Sequence, residues 1–363
     1  MSKFQTAPTA QPHLAIDGAT APIGTAIVGY GYWGPNLARN VAERPELDLL
    51  ALCEQDESRS GLFQSRYPGV PTTSDFDEVL DDPRVGAVVV ATPPVTHYPL
   101  VKRALEAGKH VLVEKPLATQ LDHAAELLTI ADREDRVLMP GHTFIYSPAV
   151  NRVRDLILED IVGEVFFVTS SRMNLGKYQR DGVICDLAPH DISILLHWLD
   201  EPVRQVSASA RSVFQAGVPE TAFITLTFES GTTANIQVSW LAPRKVRQMV
   251  VVGSKRMIQY DDAASDEPIR VYDRGMDFES PANFGEYQLT YRSGDVVIPR
   301  VDALEPLSLE LEDFARSINT GSQPQSSAEL GLEIVAVIEA AEASLRRHGA
   351  PVMINHLRER FAA

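Results

Sequence analysis

Cysteine is nearly missing from this chain: Cys53 and Cys185 are the only two among 363 residues. A disulfide framework is therefore excluded as the source of stability, and a reducing cytoplasm is the expected compartment. Long apolar runs are missing too. None approaches the ~18 residues that a bilayer span requires. Positive charge is short, with 33 Lys and Arg against 49 Asp and Glu, a net charge of −16. Such a field repels nucleic-acid phosphates and anionic lipid, which leaves a small molecule as the expected partner. Residues Met1 to Pro22 lack the apolar core of a signal peptide and are rich in Ala, Pro, Thr and Gln, so they read as a flexible tail. There is no internal repeat. What remains is an ordinary globular composition, 44% hydrophobic, long enough for two domains.

The densest signal starts at Ala26. The apolar run Ala26-Ile27-Val28 enters Gly29-Tyr30-Gly31-Tyr32-Trp33-Gly34, and Pro35 opens the helical stretch Asn36–Glu43. Strand, Gly-x-Gly-x-x-Gly and helix in that order predict a dinucleotide-binding turn. Gly29 permits the tight turn, Gly31 lets backbone approach a pyrophosphate, and Gly34 lets the helix sit close to the strand. Tyr32 and Trp33 are carried in the same loop, and the helix N-terminus points free N–H groups at the phosphates. Pro35 costs little there, since its missing N–H would have no partner. A glycine turn that binds nothing is the alternative. Glu54 stands twenty residues beyond Gly34 at the end of the next apolar run. A carboxylate there accepts ribose hydroxyls and repels a 2′-phosphate, which favours NAD. Arg59 and Arg66 keep NADP open.

From Ile23 to about Pro140, short apolar runs alternate with helical periodicity. Strands are expected at Thr25–Val28, Leu47–Cys53, Ala87–Ala91, His110–Val113 and Val137–Met139. Helices are expected at Glu57–Tyr67, Thr96–Ala107 and Leu121–Arg133. This alternation predicts an α/β Rossmann domain, a doubly wound parallel sheet, over residues 23–143. After Ser147-Pro148 the texture changes. Helices Ala149–Leu158 and Leu187–Leu199 flank a strand at Glu164–Arg172. Alternating runs then follow at Val203–Ala210, Ala222–Glu229, Thr232–Trp240, Val246–Val252 and Met257–Tyr260, before closing helices Leu307–Ile318 and Ala328–Arg347. Residues 144–363 are thus expected to form an α+β substrate and oligomerisation domain with a mostly antiparallel open sheet. Its helices are too few to cover both sheet faces, so a homodimer or homotetramer is expected.

Two local patterns carry chemistry. Val111-Leu112-Val113-Glu114-Lys115-Pro116 sets a lysine just past a buried strand, where open α/β sheets collect ligands; an ordinary solvated lysine is the alternative. In Cys185-Asp186-Leu187-Ala188-Pro189-His190-Asp191, Asp186 and His190 share one helical face, with Pro189 suited to a first turn. An imidazole can take a hydroxyl proton and a nearby carboxylate can orient it. A helix cap at Asp186, a packed core histidine at His190, and a metal-hydrolase reading of His190-Asp191 compete; the last lacks supporting histidines. Cations precede and follow this stretch, Arg172, Lys177 and Arg180 on one side and Arg244-Lys245-x-Arg247 on the other. Arginine forks suit phosphate oxygens, so a diphosphate-linked substrate is expected, against a sheet-edge role for the same cations.

Taken in order, the Gly29 turn, Ala91-Thr92-Pro93-Pro94-x-x-His97, Glu114-Lys115-Pro116 and Asp186-x-x-x-His190 resemble the Gfo/Idh/MocA oxidoreductases across nearly everything after the tail. The resemblance implies that Lys115, Asp186 and His190 form the catalytic group and that the Lys115–Pro116 bond is cis. It also implies that Thr92, Pro93 and His97, with Glu114, line the nicotinamide end. Pro94 departs from the Asn common there, so one cofactor contact is missing. Gly141-His142-Thr143-Phe144-x-Tyr146-x-Pro148 and Asn174-Leu175-Gly176 are similar to the UDP-N-acetylglucosaminuronate 3-dehydrogenase branch, which implies that His142 and Asn174 face the substrate. The resulting expectation is an NAD-dependent enzyme, with NADP open, exchanging hydride with a secondary hydroxyl or ketone of a sugar, chiefly a nucleotide-sugar. An inositol or free-sugar dehydrogenase is the alternative within the class, and a non-catalytic cofactor-sensing regulator the alternative outside it.

Overall fold

The computed structural model of the chain describes residues 21–176, 181–278 and 289–354. Most of the tail, and Lys177 and Arg180, lie outside the described residues. The first half builds β1 (Ile23–Val28), α1 (Gly34–Glu43), β2 (Leu47–Cys53), α2 (Glu57–Arg66), β3 (Thr72–Thr73), α3 (Phe76–Asp81), β4 (Ala87–Val90), α4 (His97–Glu106), β5 (His110–Glu114), α5 (Leu121–Glu134) and β6 (Leu138–Gly141). These six strands form one parallel sheet in the order β3-β2-β1-β4-β5-β6. Strand order reverses at β1, so the carboxyl ends of β1 and β4 flank the crevice where such sheets bind ligands. The period of two is visible in the cores: Ala26, Val28, Val88 and Val90 pack on one face, and Ile27, Ala87 and Val89 on the other. A sheet covered on both sides explains why β4 reads as unbroken apolar sequence.

The second half adds α6 (Pro148–Leu158), β7 (Val165–Leu175), α7 (Gly182–Leu199), β8 (Val203–Arg211), β9 (Thr221–Phe228), β10 (Thr233–Ser239), β11 (Leu241–Gly253), β12 (Met257–Asp261), β13 (Ile269–Phe278), β14 (Leu289–Val297), α8 (Pro306–Thr320), α9 (Ala328–Arg346) and β15 (Val352–Met353). Nine strands run in the order β14-β13-β12-β11-β7-β10-β9-β8-β15, with only β7 and β10 parallel. The inner face, with Val206, Leu226, Ile236, Val168 and Val251, packs on Val150, Leu195, Trp198, Ile334 and Val337 from α6, α7 and α9.

The short elements β3, α3 and β15 have no counterpart in the sequence reading, and three larger features differ from it. α7 starts at Gly182, well before Leu187, because Val183 N–H donates to the Pro219 carbonyl at 2.9 Å. Gly182 holds φ at +78°, a left-handed value that favours glycine. Pro189 is consequently inside the helix, where it supplies no N–H to the Cys185 carbonyl. Strands β13 and β14 extend a sheet that the sequence ends at Tyr260. And α8 returns to the first sheet: Leu307, Leu311, Phe314 and Ala315 share a core with Ile27, Leu37, Val41 and Leu112. Both cysteines are free thiols, and among the described residues no helix is long and apolar enough to cross a membrane.

Candidate active site

The turn after β1 has the shape of a phosphate cradle. Gly29 takes φ +94°, and a Cβ on it would meet the Ala91 carbonyl at 2.6 Å and Thr92 Cγ2 at 2.8 Å. A Cβ on Gly34 would lie 2.7 Å from the Gly29 carbonyl, so only glycine lets α1 approach this closely. Gly31 differs: nothing stands within 3.8 Å of its Cβ position, and the first atom there is Arg59 Nη1. Side-chain-free backbone facing open space, with the N-terminus of α1 behind it, fits a dinucleotide pyrophosphate. Tyr32 is 85% exposed above the turn, its ring stacked on Trp33 at 6.3 Å. Glu54 closes the turn from below. Its carboxylate accepts the Tyr30 N–H at 2.6 Å and the Asp56 N–H at 3.0 Å, with Arg59 at 4.0 Å.

Lys115 follows β5, and its bond to Pro116 is cis. The ammonium donates to the main-chain carbonyl of Asp186 at 2.7 Å and lies 3.4 Å from Asp186 Oδ1. Trp240 Nε1 donates to the other carboxylate oxygen at 3.0 Å. One helical turn along α7, His190 sits edge-on to the Phe144 ring at 4.9 Å, and its Nδ1 has no protein partner. Burial, then the cations Lys115, Arg172 and Arg247, push this imidazole well below its usual range. Held in its neutral form, the imidazole presents one ring nitrogen as an acceptor. The spacing of Lys115, Asp186 and His190 in the sequence thus becomes one constellation, and a cleft opens beside it, lined by Pro94, Lys115, Asp181, Cys185, Asp186 and Glu342. Cys185 donates its S–H to Glu342 at 3.3 Å; burial and that carboxylate push the thiol up, so it is no nucleophile.

Other expected site residues have different surroundings. His97 is fully buried, with Nδ1 at 2.7 Å from the Pro116 carbonyl and Nε2 at 2.9 Å from that of Thr92. Its ring bridges the two loops, donating to one of these carbonyls and facing the other, since a neutral imidazole carries one N–H. Thr92 is half-buried against Gly29, and Pro93 is exposed before the short turn Pro94–Thr96. Arg172 is buried: it gives Nε and Nη2 to Asp191 at 2.9–3.1 Å and lies 4.4 Å over the Phe144 ring, while its Nη1 has no protein partner. Arg247 pairs with Asp262 at 2.8 Å. The two forks are thus only partly engaged inside the protein, and Arg244 and Lys245 of that basic group are exposed. His142 is 1% exposed with neither ring nitrogen partnered, and burial beside Lys115 pushes it down to about 3. Asn174 Oδ1 is likewise buried without a partner. Unpaired buried polar atoms are costly, and a ligand that pairs them removes the cost. Glu114, pushed up to about 7 by burial, adjoins Gly141; α8 adds Glu310, which accepts the Thr143 hydroxyl at 2.7 Å. Trp240, Phe144 and Glu310 were not legible as site residues, since no local spacing ties them to Lys115 or Asp186. Among the described residues no three His, Cys, Asp or Glu side chains gather to hold a metal ion.

Comparison with known proteins agrees with this geometry. Residues 23–142 match the model of the oxidoreductase family with an NAD-binding Rossmann fold, and residues 150–259 match the GFO/IDH/MocA C-terminal domain. An uncharacterized oxidoreductase, YrbE, of Bacillus subtilis (strain 168) is 26% identical over 93% of this chain and 98% of its own length. The dTDP-3,4-didehydro-2,6-dideoxy-alpha-D-glucose 3-reductase of Saccharopolyspora spinosa is 26% identical over 82% of this chain and 87% of its own. The crystal structure of GenD2 from gentamicin A biosynthesis, in complex with NAD, superposes with a TM-score of 0.77 at 25% identity, covering 92% of this chain and 97% of that one. With both of its halves matched, the chain belongs to the GFO/IDH/MocA family of NAD(P)-dependent oxidoreductases.

Proposed function

We propose that this enzyme exchanges hydride with a secondary hydroxyl or ketone of a sugar, and that the sugar is nucleotide-linked. The observation that carries the chemistry is the meeting of Lys115, Asp186 and neutral His190 at the carboxyl end of β5, beside the Gly29 turn. His190 takes the hydroxyl proton during oxidation and returns it during reduction. Lys115 spends part of its donor capacity on Asp186 and turns the rest to the reacting oxygen, stabilising alkoxide charge as it develops. Asp186 balances the ammonium. His142 and Asn174 pair with ring hydroxyls. The nicotinamide, when bound, supplies the hydride acceptor or donor. NAD is preferred, because a carboxylate at the end of β2 repels a 2′-phosphate, and Glu54 stands there, accepting the Tyr30 and Asp56 N–H groups.

Support for a sugar comes from the relatives: one reduces a dTDP-linked keto sugar and another belongs to gentamicin A biosynthesis. The motifs from Gly141 to Pro148 and from Asn174 to Gly176 favour the UDP-N-acetylglucosaminuronate 3-dehydrogenase branch. The pairing of Arg172 with Asp191 and Arg247 with Asp262 favours a second reading, a free sugar or cyclitol that needs no phosphate clamp. Nicotinamide absorbance, followed with UDP- and dTDP-linked sugars, free sugars and inositols at low and moderate salt, separates the two. Best turnover with a nucleotide-sugar, weakened by salt, is expected. Best turnover with inositol or glucose and no salt effect would install the second reading. Cofactor binding without turnover of any class would point to a cofactor-sensing regulator. In the cell we place the protein in the cytoplasm as a homodimer or homotetramer.

A further inference from the structure

We infer that Trp240 is a positioning residue for the reaction, its indole N–H holding the Asp186 carboxylate in the orientation that leaves Lys115 free to meet substrate. The inference rests on the reading of Lys115, Asp186 and His190 as the reacting group. A carboxylate on a flexible side chain beside an ammonium can turn one oxygen or both toward it. Here it turns one: Oδ1 lies 3.4 Å from Lys115 Nζ, while Oδ2 accepts the indole N–H at 3.0 Å. An ammonium has three donors. The Asp186 carbonyl takes one at 2.7 Å and Oδ1 engages a second loosely. If Oδ2 swung over as well, the third would be lost to the substrate oxygen. The indole N–H can only donate, at any pH, which suits it to hold a carboxylate permanently.

The ring is itself held from three sides. Trp240 is buried, its main-chain N–H donates to the Glu220 carbonyl at 2.9 Å, and its carbonyl accepts the Gly176 N–H at 3.2 Å. A Cβ on Gly176 would stand 2.9 Å from the indole Cδ1, so a glycine is needed where the ring lies against the end of β7. Glu220 is buried and fixed in turn, accepting the N–H groups of Val213, Phe214 and Gln215 at 2.6, 3.2 and 3.3 Å. The end of β7 and the segment before β9 therefore hold Trp240 at the junction of β10 and β11, and so aim its indole N–H at Asp186. Trp198 provides the contrast within the same domain: its N–H donates to the Val150 carbonyl at 2.8 Å, a packing bond with no charged partner.

Two measurements test this. With tryptophan indole nitrogens labelled with nitrogen-15, Asp186→Asn should shift the Trp240 N–H resonance and leave that of Trp198 in place; an unmoved Trp240 signal overturns the contact without any substrate. With the panel sugar that turns over best, Trp240→Phe should lower kcat about tenfold while KM and the NAD dissociation constant stay within about twofold. In an Asp186→Asn background the same substitution should change the single-turnover rate less than twofold, and Trp198→Phe should leave kcat near wild type. An equal fold loss from Trp240→Phe in both backgrounds makes the residue merely structural and overturns the inference. Full turnover by Asp186→Asn alone overturns the parent reading as well, which distinguishes the two failures. If Phe is not tolerated, benzothienylalanine at position 240 removes the N–H and keeps the ring shape.

Discussion

Lys115 lines the cleft and is paired with Asp186, and its positive charge helps keep the buried His190 imidazole neutral. Removing either should therefore damage chemistry more than binding. Lys115→Ala and His190→Ala are each expected to cut turnover by about two orders of magnitude or more, the scale of general acid–base contributions. NADH binding should survive, since neither side chain belongs to the Gly29 turn; near-normal kcat in either variant would remove that residue from the mechanism. Glu114 gives a pH prediction. Burial raises its carboxyl to about 7, so it is neutral below that pH and anionic above it. His142, at about 3, and His190, well below its usual range, do not titrate in this window. Oxidised nicotinamide is cationic and the reduced form is not. Affinity for NAD relative to NADH should thus rise from pH 6 to pH 8, by about tenfold, or ~1.4 kcal/mol. Glu114→Gln should flatten the trend. A ratio that ignores pH, or the same slope in the Gln variant, excludes the role.

At the scale of elements, α8 is the one whose partner matters most. Phe314 is fully buried in the core that also contains Ile27, Leu37 and Leu112, so α8 belongs to the packing of the first sheet although its sequence follows the second. Phe314→Ala should cost about 3–5 kcal/mol, the range for emptying a large aromatic site, and should lower NADH affinity with stability; an unchanged urea midpoint would show that α8 is dispensable. A fragment ending at residue 143 lacks this face altogether and should not fold cooperatively. That partnership was not legible, because an apolar helical stripe says that a face is buried and not against what. Five of the six strands of the first sheet were legible, as short apolar runs between helices of clear period, whereas β3, only Thr72-Thr73, has no apolar run to mark it. So were the turn at Gly29 and the placement of Lys115 just past β5, both written in local spacing. The start of α7 was not, since a carbonyl from Pro219 sets it. Nor was the orientation of His97: the motif gives its place in the chain, and only the packed loops of Thr92 and Pro116 decide where its nitrogens point. Strands β13 and β14, with alternations such as Ile269-Arg270-Val271-Tyr272-Asp273, carry too little apolar sequence to announce themselves.

Among the described residues, one face of the nine-stranded sheet is left bare by the helices of its own chain. Register fixes which residues share it. Phe167 lies between Thr233 and Val252, Thr169 between Asn235 and Val250, and Phe223 between Gln237 and Ser209. These rows point away from α6, α7 and α9, which pack on the alternate rows of Val206, Leu226, Ile236 and Val251. Phe167 and Phe223 are 42% and 47% exposed, and Phe166, Met276 and Tyr291 are exposed as well. Apolar side chains set among Thr, Asn, Gln and Ser in this way resemble an interface centre with a polar surround rather than a solvated face. A second copy, meeting sheet to sheet about a two-fold axis, would cover both surfaces with the same residues. Sedimentation at micromolar concentration should accordingly report a dimer or tetramer. Phe167→Asp with Phe223→Asp places charge in the middle of the contact, where burial without a partner is costly. The double variant should sediment as a monomer with its far-ultraviolet circular dichroism intact. A wild-type monomer, or an assembly indifferent to both aspartates, would mean that this face is not where copies meet.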